Sequence, residues 1–319
     1  MDSPLKTILN NMKVLLTGGG GMVGKNISDQ KPAHIHLLSP NSSELNLLNY
    51  EEVSSYIKKS QPDLIIHAAG IVGGIQANIN NPVRFLRENT LLAHNIIWGA
   101  YENQVKHFIN LGSSCMYPKR ATNPLTEEQI LTGSLEPTNE GYALAKIFAQ
   151  KLCSYINEEG QNNHYKTYIP CNLYGKYDKF DAEWGHMIPS VIQKIYMAKI
   201  NRDKSVSIWG DGTARREFMY VADLADFIWK SIEDLDSIPD LLNVGLGFDY
   251  SINEYYQSIA QVVGFDGEFI HDLTKPVGMK QKLVDIALQT KTGWSPKTSL
   301  TDGLHQTFEY YTKNVLENE

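Results

Sequence analysis

The sequence predicts an α/β fold on a parallel sheet, joined to a smaller second lobe, and three observations carry that prediction. Short β-rich runs alternate with longer stretches of helical periodicity through the first half of the chain. The first of those runs passes directly into a cluster of glycines. After about residue 172 the alternation gives way to a segment rich in glycine, proline and charge.

Taken in order, the runs "KVLLTG" (13–18), "HIHLL" (34–38), "DLIIHAAG" (63–70), "KHFINLG" (106–112) and "YKTYIPC" (165–171) read as strands of βαβ units. Between them "NPVRFLRENTLLAHNIIWGAYE" repeats apolar residues at helical spacing, with Phe85, Leu92 and Ile96 among them. "NEGYALAKIFAQKLCSYI" does the same, so both read as long, largely buried helices. Beyond residue 172 a helix is predicted near 186–199, then short strands around "VSIWG" and "EFMYV". "SINEYYQSIAQVVG" opens with the capping-box spacing Ser251 to Glu254 and stops at Gly264, the mark of a well-capped helix. The predicted division is a domain over 12–171, with a return near 220–246, and a lobe drawn mainly from 172–319.

With 319 residues, 42% of them apolar, the chain is long enough to bury a large core. A net charge of −7 argues against general affinity for nucleic acid or anionic membrane, while leaving room for a local basic site. Three cysteines, Cys115, Cys153 and Cys171, lack C-x-x-C spacing, so neither a disulfide framework nor a metal site is expected and a reducing cytoplasm fits. The opening "MDSPLKTILNNMK" has no apolar core of a signal peptide, and no run of 18 apolar residues occurs.

In "VLLTGGGGMVGKNI" a strand runs into Gly18 to Gly21, with Gly24 at the opening of a helix. Glycines allow a sharp turn and close approach of backbone to a pyrophosphate, which the helix N-terminus attracts. In this strand-to-helix setting the loop predicts a Rossmann-like, doubly wound dinucleotide domain. The run satisfies both G-x-x-G-x-x-G and G-x-G-x-x-G, so spacing leaves the two frames open. An NAD site usually has a carboxylate about 20 residues on, at the end of the second strand. Here that strand ends "LLSPNSS", with no acid between Asp29 and Glu44. The missing repulsion favours NADP, with Ser39, Asn41, Ser42 and Lys25 as candidate donors to a 2′-phosphate.

Tyr142 and Lys146, four apart in "EGYALAKIF", share one helix face, and an ammonium beside a phenol favours proton exchange near neutral pH. Ser113 lies 29 residues earlier at a strand end. "TGGGGMVG", "HAAG", "GSSCMY" and "YALAK" fall in an order that resembles the extended short-chain dehydrogenase/reductases. That resemblance implies that Ser113 orients the substrate oxygen, Tyr142 donates its proton, and Lys146 holds tyrosine and nicotinamide ribose. It also carries over Gly18, Gly21, Met22, Val23, Gly24, Ser39, Ala68, Ala69 and Gly70 as cofactor contacts.

Related sugar-nucleotide dehydratases have an acidic pair just after the active-site serine or threonine, where this chain has Cys115 and Met116. A thiol is a competent base for a proton made acidic by an adjacent ketone. "GSSCMYP", "LEPTNEGYALAK", "CNLYG", "WGDGTARREFMYV" and "TKPVGMKQKLVD", with His186 fourteen residues after Asn172, resemble the GDP-L-fucose synthases over roughly residues 13 to 315. The resemblance implies an NADPH-dependent 3,5-epimerase/4-reductase of a GDP-4-keto-6-deoxy sugar, working as a homodimer. Cys115 and His186 would be the epimerisation pair, and Asn172, Lys194, Trp209, Arg216 and Lys282 would be substrate contacts. His67 reads as structural; Asn89 as either a buried structural hydrogen bond or a support for the active-site backbone. One departure stands out: "NLYGKYDKF" replaces the family's "NxxGPHDNF" in a loop expected beside the sugar. Two rival readings remain, a reductase acting only at carbon 4 of a related sugar such as a heptose, and a silent NADP-binding sensor or scaffold.

Overall fold

The computed structural model describes residues 11–160, 162–181, 185–275 and 278–316. The first ten residues, Glu183 and Trp184 beside His186, and Pro276 and Val277 of "TKPVGMKQKLVD" lie outside them.

The first half of the chain lays down β1 (Lys13–Thr17), α1 (Met22–Asp29), β2 (His36–Leu38), α2 (Tyr50–Ser60), β3 (Leu64–His67), α3 (Ile75–Asn80), α4 (Pro82–Glu102), β4 (His107–Leu111), α5 (Glu140–Glu158) and β5 (His164–Pro170). The second half adds β6 (Asn172–Tyr174), α6 (Met187–Asn201), β7 (Ser205–Trp209), β8 (Arg215–Arg216), β9 (Phe218–Tyr220), α7 (Val221–Ile232) and β10 (Leu241–Val244). It continues with β11 (Tyr250–Ser251), α8 (Ile252–Val263), β12 (Glu268–Asp272), β13 (Gln281–Lys282), α9 (Ala287–Lys291) and α10 (Leu300–Tyr310).

A six-stranded sheet ordered β2-β1-β3-β4-β5-β10 holds these helices, and every neighbouring pair in it is parallel. Helix crossovers cover both of its faces, which is why its strands are apolar on alternate and intervening residues alike. Val14, Leu16, Leu64, Ile66 and Ile109 enter one core; Leu15, Ile65, Phe108 and Tyr165 enter the other. The strand order turns back between β1 and β3, and a doubly wound sheet presents its ligand crevice at that switch point, beyond the C-terminal strand ends.

Local chemistry sets the helix ends. Asn49 caps α2, whose first turn carries Glu51 and Glu52 and whose last carries Lys58 and Lys59, complementing the helix dipole. The predicted box on α8 is present in both hydrogen bonds, and Gly264 ends the helix at φ +74°.

The later elements form a core of their own around Ile188, Ile192, Ile195, Tyr255, Ile259 and Leu304, backed by three small sheets, β11-β8-β13, β12-β7 and β6-β9. From this lobe the chain returns through α7, where Trp229 Nε1 donates to the Ile27 carbonyl at 2.9 Å, and adds β10 to the edge of the large sheet. No described helix is long and apolar enough to cross a membrane.

Candidate active site

The turn after β1 is shaped by what two glycines must avoid. Gly18 has φ +77°, and a Cβ there would lie 2.5 Å from the Ala69 nitrogen. A Cβ at Gly24 would meet the Gly18 carbonyl at 2.2 Å. These positions demand glycine for close packing of loop on strand and helix on loop, whereas Gly20 faces open space. The left-handed φ of Gly18 and its backbone neighbours favour the Gly18–Gly21–Gly24 frame over one that begins at Gly19, whose Cβ would meet only side-chain atoms. Gly21 occupies the N-cap of α1 without a side-chain cap, and no acid stands in the first turn. That leaves a helix N-terminus suited to a pyrophosphate. A Cβ on Gly19 would overlap the Ser39 hydroxyl, so Ser39 lies directly against the loop, as a donor to an adenosine 2′-phosphate must. Asn41 spends its carbonyl oxygen on Ser43 and on the Glu44 amide, and Lys25 rests over the Tyr177 ring at 5.0 Å. These residues thus fit NADP, with Ser39 packed against the glycine loop.

The loops after β3 and β4 build the opposite wall. Asn89 accepts from the Ile71 amide at 2.7 Å and donates back to its carbonyl at 3.1 Å, holding the chain just after Gly70. Both readings of Asn89 meet in this contact, since it is a buried hydrogen bond that fixes backbone beside Lys146. His67 is buried against Thr17 Oγ1 at 2.8 Å, and burial, helped by the Lys146 charge, pushes its pKa down to about 3. It stays neutral and structural.

Ser113 caps a short turn over Ser114–Met116 at the end of β4, and its hydroxyl accepts from the Cys115 amide at 3.4 Å. Lys146, one turn beyond Tyr142 on α5, donates to the Leu111 carbonyl at 2.7 Å and so ties the helix to the end of β4. Its Nζ lies 5.7 Å from the centre of the Tyr142 ring. Burial brings Lys146 down to about 8, the nearby thiol opposing. The sequence suggests a phenol acidified by lysine; in the structure burial dominates and pushes Tyr142 up, with the thiol adding to the rise and Ser113 opposing it. Tyr142 is therefore held in its protonated form. Burial also raises the Cys115 thiol, and the Lys282 ammonium leads the groups that pull it back.

Lys282 pairs in register with Arg216 across β13 and β8. Burial depresses both cations, and Arg216 adds to the depression of Lys282. Two desolvated positive groups side by side favour an anion between them. Neighbouring Arg215 faces elsewhere, with Nε 2.6 Å from the Asp249 carboxylate. Asn172 donates to the Glu217 carbonyl at 2.8 Å. Lys194 donates to the Ser207 carbonyl and hydroxyl at 2.6 and 2.9 Å, on the wall of a cleft of about 610 Å³ lined also by Gln193, Met197 and Ile270. Trp209 follows on the same strand, 52% exposed, with the Lys275 ammonium 5.4 Å above its ring. An exposed indole at this place is available to a ligand.

His186 stands at the N-cap of α6, its Nδ1 3.5 Å from Asp178 Oδ1. A hydrogen bond to that buried carboxylate raises the imidazole pKa and so favours the acid form. Asp178 is a residue the sequence reading passed over, although the "D" of "KYDKF" retains the position in the family's "PHDNF". Two side chains of the departing loop turn toward the cofactor helix. Lys176 and Tyr177 reach back to Asp29 on α1, at 3.1 and 2.9 Å, and the Lys176 carbonyl accepts from Asn26. Their altered identities are matched by the cofactor helix. Glu217 was likewise unforeseen. Fully buried, it accepts from the amides of Leu246, Gly247 and Val284 at 2.5, 3.0 and 2.9 Å.

The sequence profile of the NAD dependent epimerase/dehydratase family matches residues 14–245. The chain belongs to that family. A Yersinia pseudotuberculosis member named GDP-L-colitose synthase is 55% identical over 94% of this chain and 98% of its own length. An Azorhizobium caulinodans member named GDP-L-fucose synthase is 48% identical over 94% of this chain and 96% of its own. Among solved structures, a GDP-mannoheptose C4 reductase from Campylobacter jejuni with NADP bound superposes with a TM-score of 0.86 at 29% identity, covering 95% of this chain and 99% of that one.

Proposed function

We propose that this chain is an NADPH-dependent 3,5-epimerase/4-reductase of a GDP-4-keto-6-deoxy sugar, with GDP-L-fucose as product. The observation that carries the reading is the close grouping of Ser113, Cys115, Tyr142 and Lys146 beyond the end of β4, where the Cys115 amide donates to the Ser113 hydroxyl at 3.4 Å and Lys146, 5.7 Å from the centre of the Tyr142 ring, donates to the Leu111 carbonyl at 2.7 Å. In this reading Tyr142 is the acid for the reduction and Cys115 the base for the epimerisation, both acting about one carbonyl oxygen. When bound, the nicotinamide supplies hydride to carbon 4. Cys115 takes the proton from a carbon adjacent to the ketone, His186 returns one from the opposite face, and Tyr142 protonates the oxygen as carbon 4 is reduced. Lys282 has two parts, easing deprotonation of the thiol and, with Arg216, meeting the diphosphate. The cleft beside Lys194 and Ser207, with Trp209 on the same strand, suits the nucleotide's base. The cofactor domain spans 12–171 with its return near 220–246, and the substrate lobe draws mainly on 172–319.

Exposed Leu86, Leu144 and Tyr155 on the paired helices α4 and α5 supply a surface for a homodimer, and three buried free cysteines suit a reducing cytoplasm. The likeness to the Yersinia protein favours a second reading, in which GDP-L-colitose is the product. The likeness to the Campylobacter C4 reductase favours reduction alone. Incubation of GDP-4-keto-6-deoxy-D-mannose in deuterated water without NADPH separates these routes. Deuterium at carbons 3 and 5, followed by GDP-L-fucose when NADPH is added, supports the proposal. Exchange without that product moves the enzyme to another GDP-sugar, and reduction without exchange leaves a reductase only.

A further inference from the structure

At the N-terminal edge of the large sheet, on the side away from the reaction centre, two histidines and an aspartate converge. His107 and His164 open β4 and β5 and are direct cross-strand partners, their rings 5.4 Å apart and 17° from parallel. Asp236, in the turn before β10, places Oδ1 3.0 Å from His164 Nδ1. One ligand-capable atom from each residue lies within 4.8 Å of the others. We propose that this cluster is a binding site for a zinc-class divalent cation.

Two imidazoles and one carboxylate form a borderline donor set of the kind zinc accepts, with a fourth position left to water. Bonds of about 2.0–2.1 Å around a tetrahedral ion set donor atoms about 3.4 Å apart. The His164–Asp236 pair is already inside that spacing, and the exposed Asp236 carboxylate is free to turn. The half-buried histidines leave a route for an ion from solvent. Because the ligands lie 57 and 72 residues apart in sequence, their spacing resembles no short metal motif. The ion would join β4, β5 and the chain entering β10, which are consecutive neighbours in the sheet. Cys115 is the competing soft ligand, but Ser113 follows the far end of β4, about 13 Å along the strand from His107.

The test is calorimetric titration of ZnCl₂ into the metal-stripped full chain, beside Cys115→Ser, His164→Gln and Asp236→Asn, each first shown to bind NADPH normally at the glycine loop. The proposal expects one saturable site per chain and a Tm several degrees higher with zinc. It expects both effects in Cys115→Ser and affinity weakened more than about tenfold in His164→Gln and Asp236→Asn. Cobalt should give a visible absorption band that is absent in His164→Gln. Absence of saturable binding, undiminished affinity in both edge variants, or loss in Cys115→Ser would each overturn it.

Discussion

Replacing Lys146 by methionine should make the ligand-free protein more stable while removing its activity. Lys146 is 7% exposed, and its pKa falls from 10.5 to about 8. At 1.36 kcal/mol per pKa unit the folded protein therefore carries a penalty of about 3 kcal/mol for keeping this charge below pH 8. Methionine removes the penalty but leaves the Leu111 carbonyl without its 2.7 Å donor, a loss of about 1–2 kcal/mol. The net gain is about 1–2 kcal/mol at pH 7, seen as a Tm increase of about 2–4 °C. A lysine with a depressed folded pKa binds fewer protons folded than unfolded, so wild-type stability rises with pH between about 8 and 10.5. The variant's advantage should shrink over that interval and end as a deficit equal to the lost hydrogen bond. Circular-dichroism melting of both proteins at pH 7 and pH 10 measures this. A lower Tm for Lys146→Met at pH 7, or a difference that does not change with pH, would refute the reasoning.

Tyr142→Phe keeps the ring packed edge-on against Phe85 but removes the proton donor, so turnover should fall by about two to four decades with NADPH affinity unchanged, read by steady-state assay and fluorescence titration. Ser39→Asp puts a carboxylate against Gly19, so NADPH binding should weaken while NADH is spared, and equal losses for both cofactors would contradict the placement of the 2′-phosphate. Lys282→Met removes the leading cation that opposes burial of the Cys115 thiol, so the alkaline rise of deuterium exchange at the sugar should move to higher pH. An unmoved profile would detach Lys282 from the thiol.

Most of the large sheet was legible because its inner strands are runs buried on both faces: "KVLLTG" and "KHFINLG" overrun the observed β1 and β4 by a residue or two at most. The capped helix at Ser251 was legible because its box is local. The small lobe was read less fully, since strands as short as Arg215–Arg216 and Gln281–Lys282 have no periodicity, and β12 alternates too weakly to stand out. The site divides the same way. Ser113, Tyr142 and Lys146 follow from motif order, whereas Asp29 as partner of Lys176 and Tyr177 depends on contacts across 147 and 148 residues. Glu217 in "RREF" reads as a charged surface residue, because only tertiary structure brings three amides to it.

That carboxylate gathers amides from residues 246, 247 and 284 onto the link between β8 and β9. Segments far apart in sequence thus share a single buried acceptor, and releasing any one of them leaves the others holding a carboxylate stripped of part of its solvation. Burial places its pKa at about 7 against the amides' pull, so near neutrality every lost contact favours uptake of a proton. The edge of the small lobe that carries Arg216 and Lys282 is thereby tied through one buried acceptor, the arrangement that favours opening as a unit over opening strand by strand.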